Sequence, residues 1–377
     1  MRAYFADKLP SKEVAKRFGY TDGSFLVLAH QFRQNPQREF YLFSVKGPQV
    51  APKKDKVWFD AMKSINIDRG ISFDLDFHSI PFHGEDALVE KHYISKRSRK
   101  QKGILVFLAQ DAKTRVFCYA NADLRKDEQN DEILQFVEFW KQRTGNYPQE
   151  LILDSKLTTY ANLNKLNQKG ILFMTLRRRS QKMLQLINDE PVSAWRRIEL
   201  ESVSRIYRTP RILDQKIALK DYQEEIRQLV VKDLGHEEPM FLLTNHLKCS
   251  AAKLINRYAK RMIIENRIED SIDFFHMDAL SSSVAMKVNL DVQLSLMASS
   301  LYRLLALKIA NGYEDAKSSH LFRDFIDATG NIRITKKQIT VEFQKRAHNP
   351  LLIAAGLNNI ETRIPWIDNK ILRIVLG

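Results

Sequence analysis

Between residues 71 and 77 the chain alternates Ile71, Phe73, Leu75 and Phe77 with Ser72, Asp74 and Asp76. That period of two predicts a strand with one apolar face. Residues 104–109 and 115–120 predict two more, joined by the turn Asp111-Ala112-Lys113-Thr114. The period then lengthens. Ile133, Phe136, Val137 and Trp140 recur at i, i+3, i+4 and i+7, which predicts a helix over 132–143. Residues 151–153 form a short apolar run closed by Asp154, 160–169 read as helix, and 171–176 as strand.

Beyond 190 the pattern becomes a series of short alternating segments separated by polar turns, up to about residue 245, and predicts a β-rich stretch. Helical periodicity returns over 251–275 and 289–309, and 331–343 predicts a hairpin ahead of a hydrophobic tail. At the other end, Ser11 can cap a helix over 12–18, Gly19 breaks it, and 24–34 runs helical with Phe25, Leu28 and Phe32 as its apolar stripe. Helix, glycine-bearing turn and helix make a helix-turn-helix outline, although any helical hairpin gives the same pattern. The expected organisation is a helix-turn-helix unit and linker over 1–55 and an α/β core in two parts, 70–180 and 246–310. A β-rich insertion over 181–245 separates the two parts, and 311–377 has no assigned chemistry. Three strands, helix, strand, helix, strand is the element order of the ribonuclease H-like fold.

Composition narrows the partner. The 377 residues carry a formal charge of +15, which favours a polyanion: DNA, RNA or an anionic membrane surface. The longest apolar runs, such as 104–109, fall far short of the ~20 residues of a spanning helix. The first residues carry early acids and no apolar stretch, so no signal peptide is expected. Two cysteines, Cys118 and Cys249, exclude a disulfide framework and a cysteine-based zinc site and suit a reducing cytoplasm. The nine histidines show no HxxxH or HExxH spacing. No phosphate-binding G-x-x-x-x-G-K-[ST] occurs, so no nucleotide cofactor is expected, and no Gly-x-Ser-x-Gly nucleophile elbow occurs. Nucleic acid is the leading partner, with no membrane role.

Three acids carry the chemistry. Asp74 and Asp76 share one face of the first strand, and either can be a ligand. Asp76 is favoured as lying nearer the strand's C-terminal end, where α/β sites open. Asp154 closes its apolar strand, although a lone Asp there also reads as the cap of the next helix. Tyr258, Arg261 and Glu265 fall at i, i+3 and i+7 of one helix. There the arginine can hold a DNA phosphate while the glutamate takes a metal. Glu269, one turn further, is the alternative, and an ordinary surface Arg–Glu pair is the plain reading. Buried carboxylates are costly unless repaid, and a divalent metal repays three of them.

Basic runs border this site. Lys91, Lys96, Arg97, Arg99, Lys100 and Lys102 lie in a stretch without acids, Arg177-Arg178-Arg179 follows a strand, and Arg196-Arg197 opens the β-rich segment. Charge runs are usually solvated loops, but three beside one site point to a DNA channel whose affinity falls with salt. From the N-terminal unit, Gln31 and Arg33 are the candidates for reading bases.

With these residues in view, the chain resembles the DDE transposases of bacterial insertion sequences. The likeness is to the group whose ribonuclease H-like core is interrupted by a β-rich insertion and which carries Y-x2-R-x3-E-x6-K. Tyr258, Arg261 and Glu265 match that motif; Ile272 stands at its lysine, with Arg267 and Lys287 as possible substitutes. The settings Asp76-Phe77-His78-Ser79-Ile80-Pro81 and Leu151-Ile152-Leu153-Asp154 also fit, and Leu242-Leu243-Thr244-Asn245 resembles the last core strand. The resemblance covers about 70–310. It implies two Mg²⁺ or Mn²⁺ ions held by Asp76, Asp154 and Glu265. The implied reaction is hydrolysis at the element's ends followed by transfer of the freed 3′-hydroxyl to target DNA. It further implies a homodimer on double-stranded DNA in a prokaryotic cytoplasm. Two rival readings remain: a ribonuclease H-like nuclease that does not join strands, and a silent, transposase-derived DNA-binding protein.

Overall fold

The computed structural model describes residues 70–83, 89–94, 98–155, 157–201, 208–235, 239–279 and 285–377, together with the backbone of two short paired strands, β1 (Phe40–Tyr41) and β2 (Ser44–Val45). The helix-turn-helix expected over 8–34, with Gln31 and Arg33, lies outside the described residues. So do Lys96, Arg97 and nearly all of the expected linker. Among the described residues one unit runs to Glu269 and includes Met277–Leu294; the other comprises Asp270–His276 and Ser295–Gly377.

The first unit is built on one sheet. Its strands are β3 (Ser72–Pro81), β4 (Lys91–Ile94), β5 (Arg99–Asp111), β6 (Phe117–Leu124), β7 (Glu150–Leu153), β8 (Leu172–Leu176), β9 (Arg196–Arg197), β10 (Arg211–Ile217), β11 (Ile226–Lys232) and β12 (Met240–Thr244). The path is β4-β5-β3-β7-β8-β12-β11-β10-β9, with β6 paired to β5. β3, β5 and β6 are antiparallel neighbours, whereas β7 runs parallel to β3 and β8 parallel to β7. The order β6-β5-β3-β7-β8 is that of three meander strands followed by two crossovers, consistent with a ribonuclease H-like core. The crossovers carry α1 (Glu132–Thr144) and α2 (Tyr160–Gln168). Strands β9 to β12, expected as an insertion, continue this same sheet antiparallel from β8. A helix not foreseen, α3 (Gln181–Asn188), precedes them, capped by the Ser180 side chain accepting from Met183 N.

The two faces of β3 have different fates. Phe73 and Leu75 are fully buried on the side of α1, where Phe73 meets Phe136 and Trp140 at 5.3 and 4.6 Å between ring centroids. Burying each such side chain contributes about 1.5–3 kcal/mol, so this aromatic layer anchors the register of β3. Ser72, Asp74 and Asp76 are left on the opposite face. That face receives α4 (Ala251–Lys260) and α5 (Met262–Asp273). Leu254, Ile255 and Tyr258 of α4 pack with Ile152, Met174, Leu229 and Leu242 of the sheet.

Two expectations are corrected here. β3 continues five residues past Asp76, because Ile80 and Pro81 still pair with Ile104 and Gly103 of the long β5. Asp76 therefore sits mid-strand and not at its C-terminal end. The basic stretch before residue 103 is also not a plain loop: Lys91 pairs with Lys102 and Tyr93 with Lys100 in a β4–β5 hairpin.

In the second unit the end of α6 (Ala285–Ile309) contributes Ala306 and Ile309 to a cluster with Leu321 and Phe325. Asp270 Oδ2 accepts from Ser318 Oγ at 2.6 Å, which fixes the start of α7 (Ser318–Leu321). The expected hairpin is present as β13 (Gly330–Ile334) and β14 (Gln338–Phe343). α8 (Asn349–Ala354) follows, and β15 (Ile360–Ile364) and β16 (Lys370–Leu376) complete a sheet in the order β13-β14-β16-β15.

Candidate active site

Strand register brings the first two acids level. Ser72 pairs with Glu150, Phe73 with Leu151 and Asp74 with Ile152. Carried two residues further, the same register sets Asp154 beside Asp76. Asp154 does not cap the next helix: Thr159 does, accepting from Asn162 N at 3.2 Å. Instead Asp154 Oδ1 accepts from the adjoining Ser155 N at 2.7 Å, and its main-chain carbonyl accepts from Thr175 Oγ1 of β8 at 3.2 Å.

The helix supplies the third acid. Between α4 and α5 the backbone tightens at Arg261, whose N–H donates to Tyr258 O and whose carbonyl accepts from Ile264 N, yet it keeps right-handed dihedrals. The turn continues, and Arg261 and Glu265 remain on one face. Arg261 Nη2 donates to Glu265 Oε1 at 2.9 Å, and Nη1 lies 3.6 Å from Asp76 Oδ2. The guanidinium is buried, rests over the Tyr258 ring at 5.7 Å, and has no hydrogen-bond acceptor for Nε or Nη1.

Electrostatics join the three carboxylates. Burial pushes Asp76 up to about 6; Arg261 and the Phe77 N–H oppose this, while the charges of Glu265 and Asp154 add to it. Glu269 is exposed and is not among those principal charges. Burial also pushes Tyr258 up to about 12. Arg261 is held above its usual value, against burial, by Tyr258, Asp76, Glu265 and Asp154. The donor set is three carboxylates, suited to a hard divalent cation. Among the described residues, however, no three His, Cys, Asp or Glu side chains are drawn together tightly enough to hold an ion. Arg261 supplies the positive charge between Asp76 and Glu265.

Asp74 is differently engaged. Its Oδ1 accepts from Arg257 Nη2 at 2.8 Å, and the same guanidinium reaches Glu150 and Ser72. Sequence reasoning missed Arg257, although its place four residues before Arg261 and eight before Glu265 on one helical face was a usable signal.

The expected basic contacts divide. Arg99 and Lys100 are exposed on the β4–β5 hairpin, and Arg178 is exposed after β8. Arg177 is turned inward, donating to Gln228 Oε1 at 2.8 Å. Arg196 pairs with Asp214 at 2.8 Å and Arg197 donates to the Thr209 carbonyl. Ile272, at the motif's lysine, is buried; Arg267 is buried and engaged within the fold, and the Lys287 side chain lies outside the described residues.

Residues 70–301 match the family described as Transposase DDE domain. No curated protein matches the chain. Among solved structures, a piggyBac transposase synaptic complex with hairpin DNA, determined by cryo-electron microscopy, is similar at a TM-score of 0.43 and 10% identity, over 78% of this chain and 60% of that one. The chain thus spans less than two thirds of that relative. No helix among the described residues is long and apolar enough to cross a membrane.

Proposed function

Because the chain belongs to the Transposase DDE domain family, whose members cleave and transfer DNA strands and generally use divalent metal ions, we propose that Asp76, Asp154 and Glu265 are its catalytic acids. The observation that carries this is the Arg261 guanidinium set between Asp76 and Glu265, with the charge of Asp154 also acting on Asp76. Three acids from two strands and a helix, around one cation, form a site able to exchange that cation for metal.

In this reading the acids hold two Mg²⁺ or Mn²⁺ ions. When bound, the metals polarise the phosphoryl group and lower the pKa of the attacking hydroxyl. The chain's own residues do the rest. Asp76 gives up its proton to become a ligand, which its elevated pKa makes pH-dependent. Arg261, with Nε and Nη1 lacking acceptors, takes a non-bridging phosphate oxygen of the DNA and keeps the scissile phosphate beside the acids. Exposed Arg99, Lys100 and Arg178 hold the flanking backbone. The products are a nicked element end and then, by attack of its 3′-hydroxyl, a joined strand.

The family likeness and the match of Tyr258, Arg261 and Glu265 to Y-x2-R-x3-E support assignment to the insertion-sequence group, acting on double-stranded DNA as a homodimer. Residues 8–34 are assigned to recognition of the ends; deleting 1–50 should abolish end preference and leave metal-dependent nicking. The decisive assay is Mg²⁺-dependent cleavage and joining of DNA carrying the element's ends. Asp76→Asn, Asp154→Asn and Glu265→Gln should each abolish both steps while DNA binding persists. Cleavage without joining would favour the nuclease, and DNA binding without either would favour the silent protein.

A further inference from the structure

We propose that Arg257 is a positioning residue that sets the Glu265 helix in register with the two strands carrying Asp76 and Asp154; this rests on the reading of those acids given above. Arg257 Nη2 donates to Ser72 Oγ at 2.7 Å and to Asp74 Oδ1 at 2.8 Å, and its Nε donates to Glu150 Oε2 at 3.1 Å. Ser72 Oγ in turn donates to Glu150 Oε2 at 2.5 Å. One guanidinium therefore ties β3, β7 and α4 together at the level of the Ser72–Glu150 pair, reaching forward to Asp74.

That level is set back from the acids by short, stiff lengths of backbone. Asp74 is two residues from Asp76, Glu150 is four from Asp154, and Arg257 is eight from Glu265. These separations are about 7 and 13 Å of strand and about 12 Å of helix. A helix that slips by one residue turns a side chain by about 100°, enough to take Glu265 away from Asp76. The apolar contacts of Leu254 and Ile255 hold α4 on the sheet, but contacts of that kind are non-directional. The fixed fork of hydrogen bonds from Arg257 supplies the direction. Asp74, two residues from Asp76 on the same strand face, is thereby a receptor for this clamp.

The clamp can be changed without emptying the core. Arg257 is 21% exposed, and it borders a cavity of about 700 Å³ that is also lined by Gly70, Lys113 and Lys260. Methionine at 257 keeps the aliphatic stem and removes the fork.

The test is Mn²⁺ binding to the full, DNA-free chain by calorimetry, together with the Mg²⁺ dependence of single-turnover DNA cleavage. Arg257→Met should weaken Mn²⁺ binding and raise the Mg²⁺ needed for half-maximal cleavage by about tenfold or more, with the KM for DNA unchanged. Arg257→Lys should restore part of the loss. Asp74→Asn, which keeps the side-chain shape, should move metal affinity in the same direction and serves if Arg257→Met does not fold. Unchanged metal affinity in Arg257→Met, or in Asp74→Asn if that variant must stand in, overturns the positioning role. If Asp76→Asn and Glu265→Gln also bind Mn²⁺ like the parent chain, the assignment of the acids fails as well. Weakening by those two variants without any effect at Arg257 removes the positioning role alone.

Discussion

Asp76 Oδ2 lies 3.6 Å from Arg261 Nη1, and each of the two is out of balance without the other. The carboxyl is pushed up to about 6 by burial even with the arginine beside it. The arginine is buried with two nitrogens lacking acceptors. Such a pair is weak evidence of stability and fits a site that gives up folding energy for function.

Asp76→Asn should therefore stabilise the metal-free protein at neutral pH. Below about pH 4 both folded and unfolded chains hold the Asp76 proton, and nothing is lost. Between about 4 and 6 the unfolded chain releases it first, so stability falls as pH rises; above about 6 the loss is complete. The rise from 3.8 to about 6 corresponds to an upper figure of about 3 kcal/mol. Denaturant unfolding at pH 3 and pH 7 checks this: the variant should gain on the parent at pH 7 and match it at pH 3. A variant less stable than the parent at pH 7 would contradict it.

Metal binding should carry the same signature with the opposite sign. A metal needs the ionised carboxylate, so its affinity should drop as pH falls through about 6, the value to which Asp76 is raised. Calorimetry with Mn²⁺ in two buffers of different ionisation enthalpy should show proton release near pH 6 and almost none at pH 8. Uniform affinity from pH 5 to 8 would remove Asp76 from the ligand set.

Arg261→Ala should lower the salt slope of binding to cleavage-site DNA by about one unit. The double substitution Arg99→Ala/Lys100→Ala on the exposed hairpin should lower it by about two, equally for all DNA sequences, with the cleavage rate of bound DNA unchanged. Fluorescence anisotropy over a salt series separates the two. An unchanged slope in Arg261→Ala would make that residue a partner of Glu265 only.

How far the sequence reached depended on contrast between neighbouring positions. β3 and α1 carry Phe, Leu and Ile against Ser, Asp and Gln, so period and face were plain, while β5 was legible as an unbroken apolar run over 104–109. β4 has the same alternation, with His92 and Ile94 inward and Lys91 and Tyr93 outward. A histidine inside and an aromatic outside hid it. α3 buries only Ile187, which leaves too thin a stripe to read. Asp74 and Asp76 could not be separated by alternation, since both occupy one face. What distinguishes them is the register of a helix almost two hundred residues later, which places Arg257 over one and Arg261 over the other. The strands of 190–245 were legible as strands, but their joining of the main sheet depends on β12 pairing with β8, a long-range contact without a local signal.

The loop that feeds the Glu265 helix is held by a second ion pair, of opposite titration sense. Arg227 binds Asp214 through Nε and Nη2, both at 2.8 Å, and its Nη1 donates to the carbonyls of His246, Leu247 and Cys249, the last at 2.6 Å. These are the residues just before Ser250 caps α4. Hydrogen bonds from Arg227 hold Asp214 below its usual value. Its contribution is present above the unfolded value of 3.8 and lost as pH falls below it. Asp214→Ala should cost roughly 2–3 kcal/mol, below the roughly 3–5 kcal/mol of a fully buried broken pair, because its side chain is 24% exposed. Arg227 is then left with its charge and the three carbonyls, so the 246–249 loop should loosen. Hydrogen exchange at residues 246–254 should rise in the variant while β3 and β5 stay protected. If protection at 246–254 is unchanged, Arg227 holds the loop without Asp214 and the pair stabilises only β10 and β11.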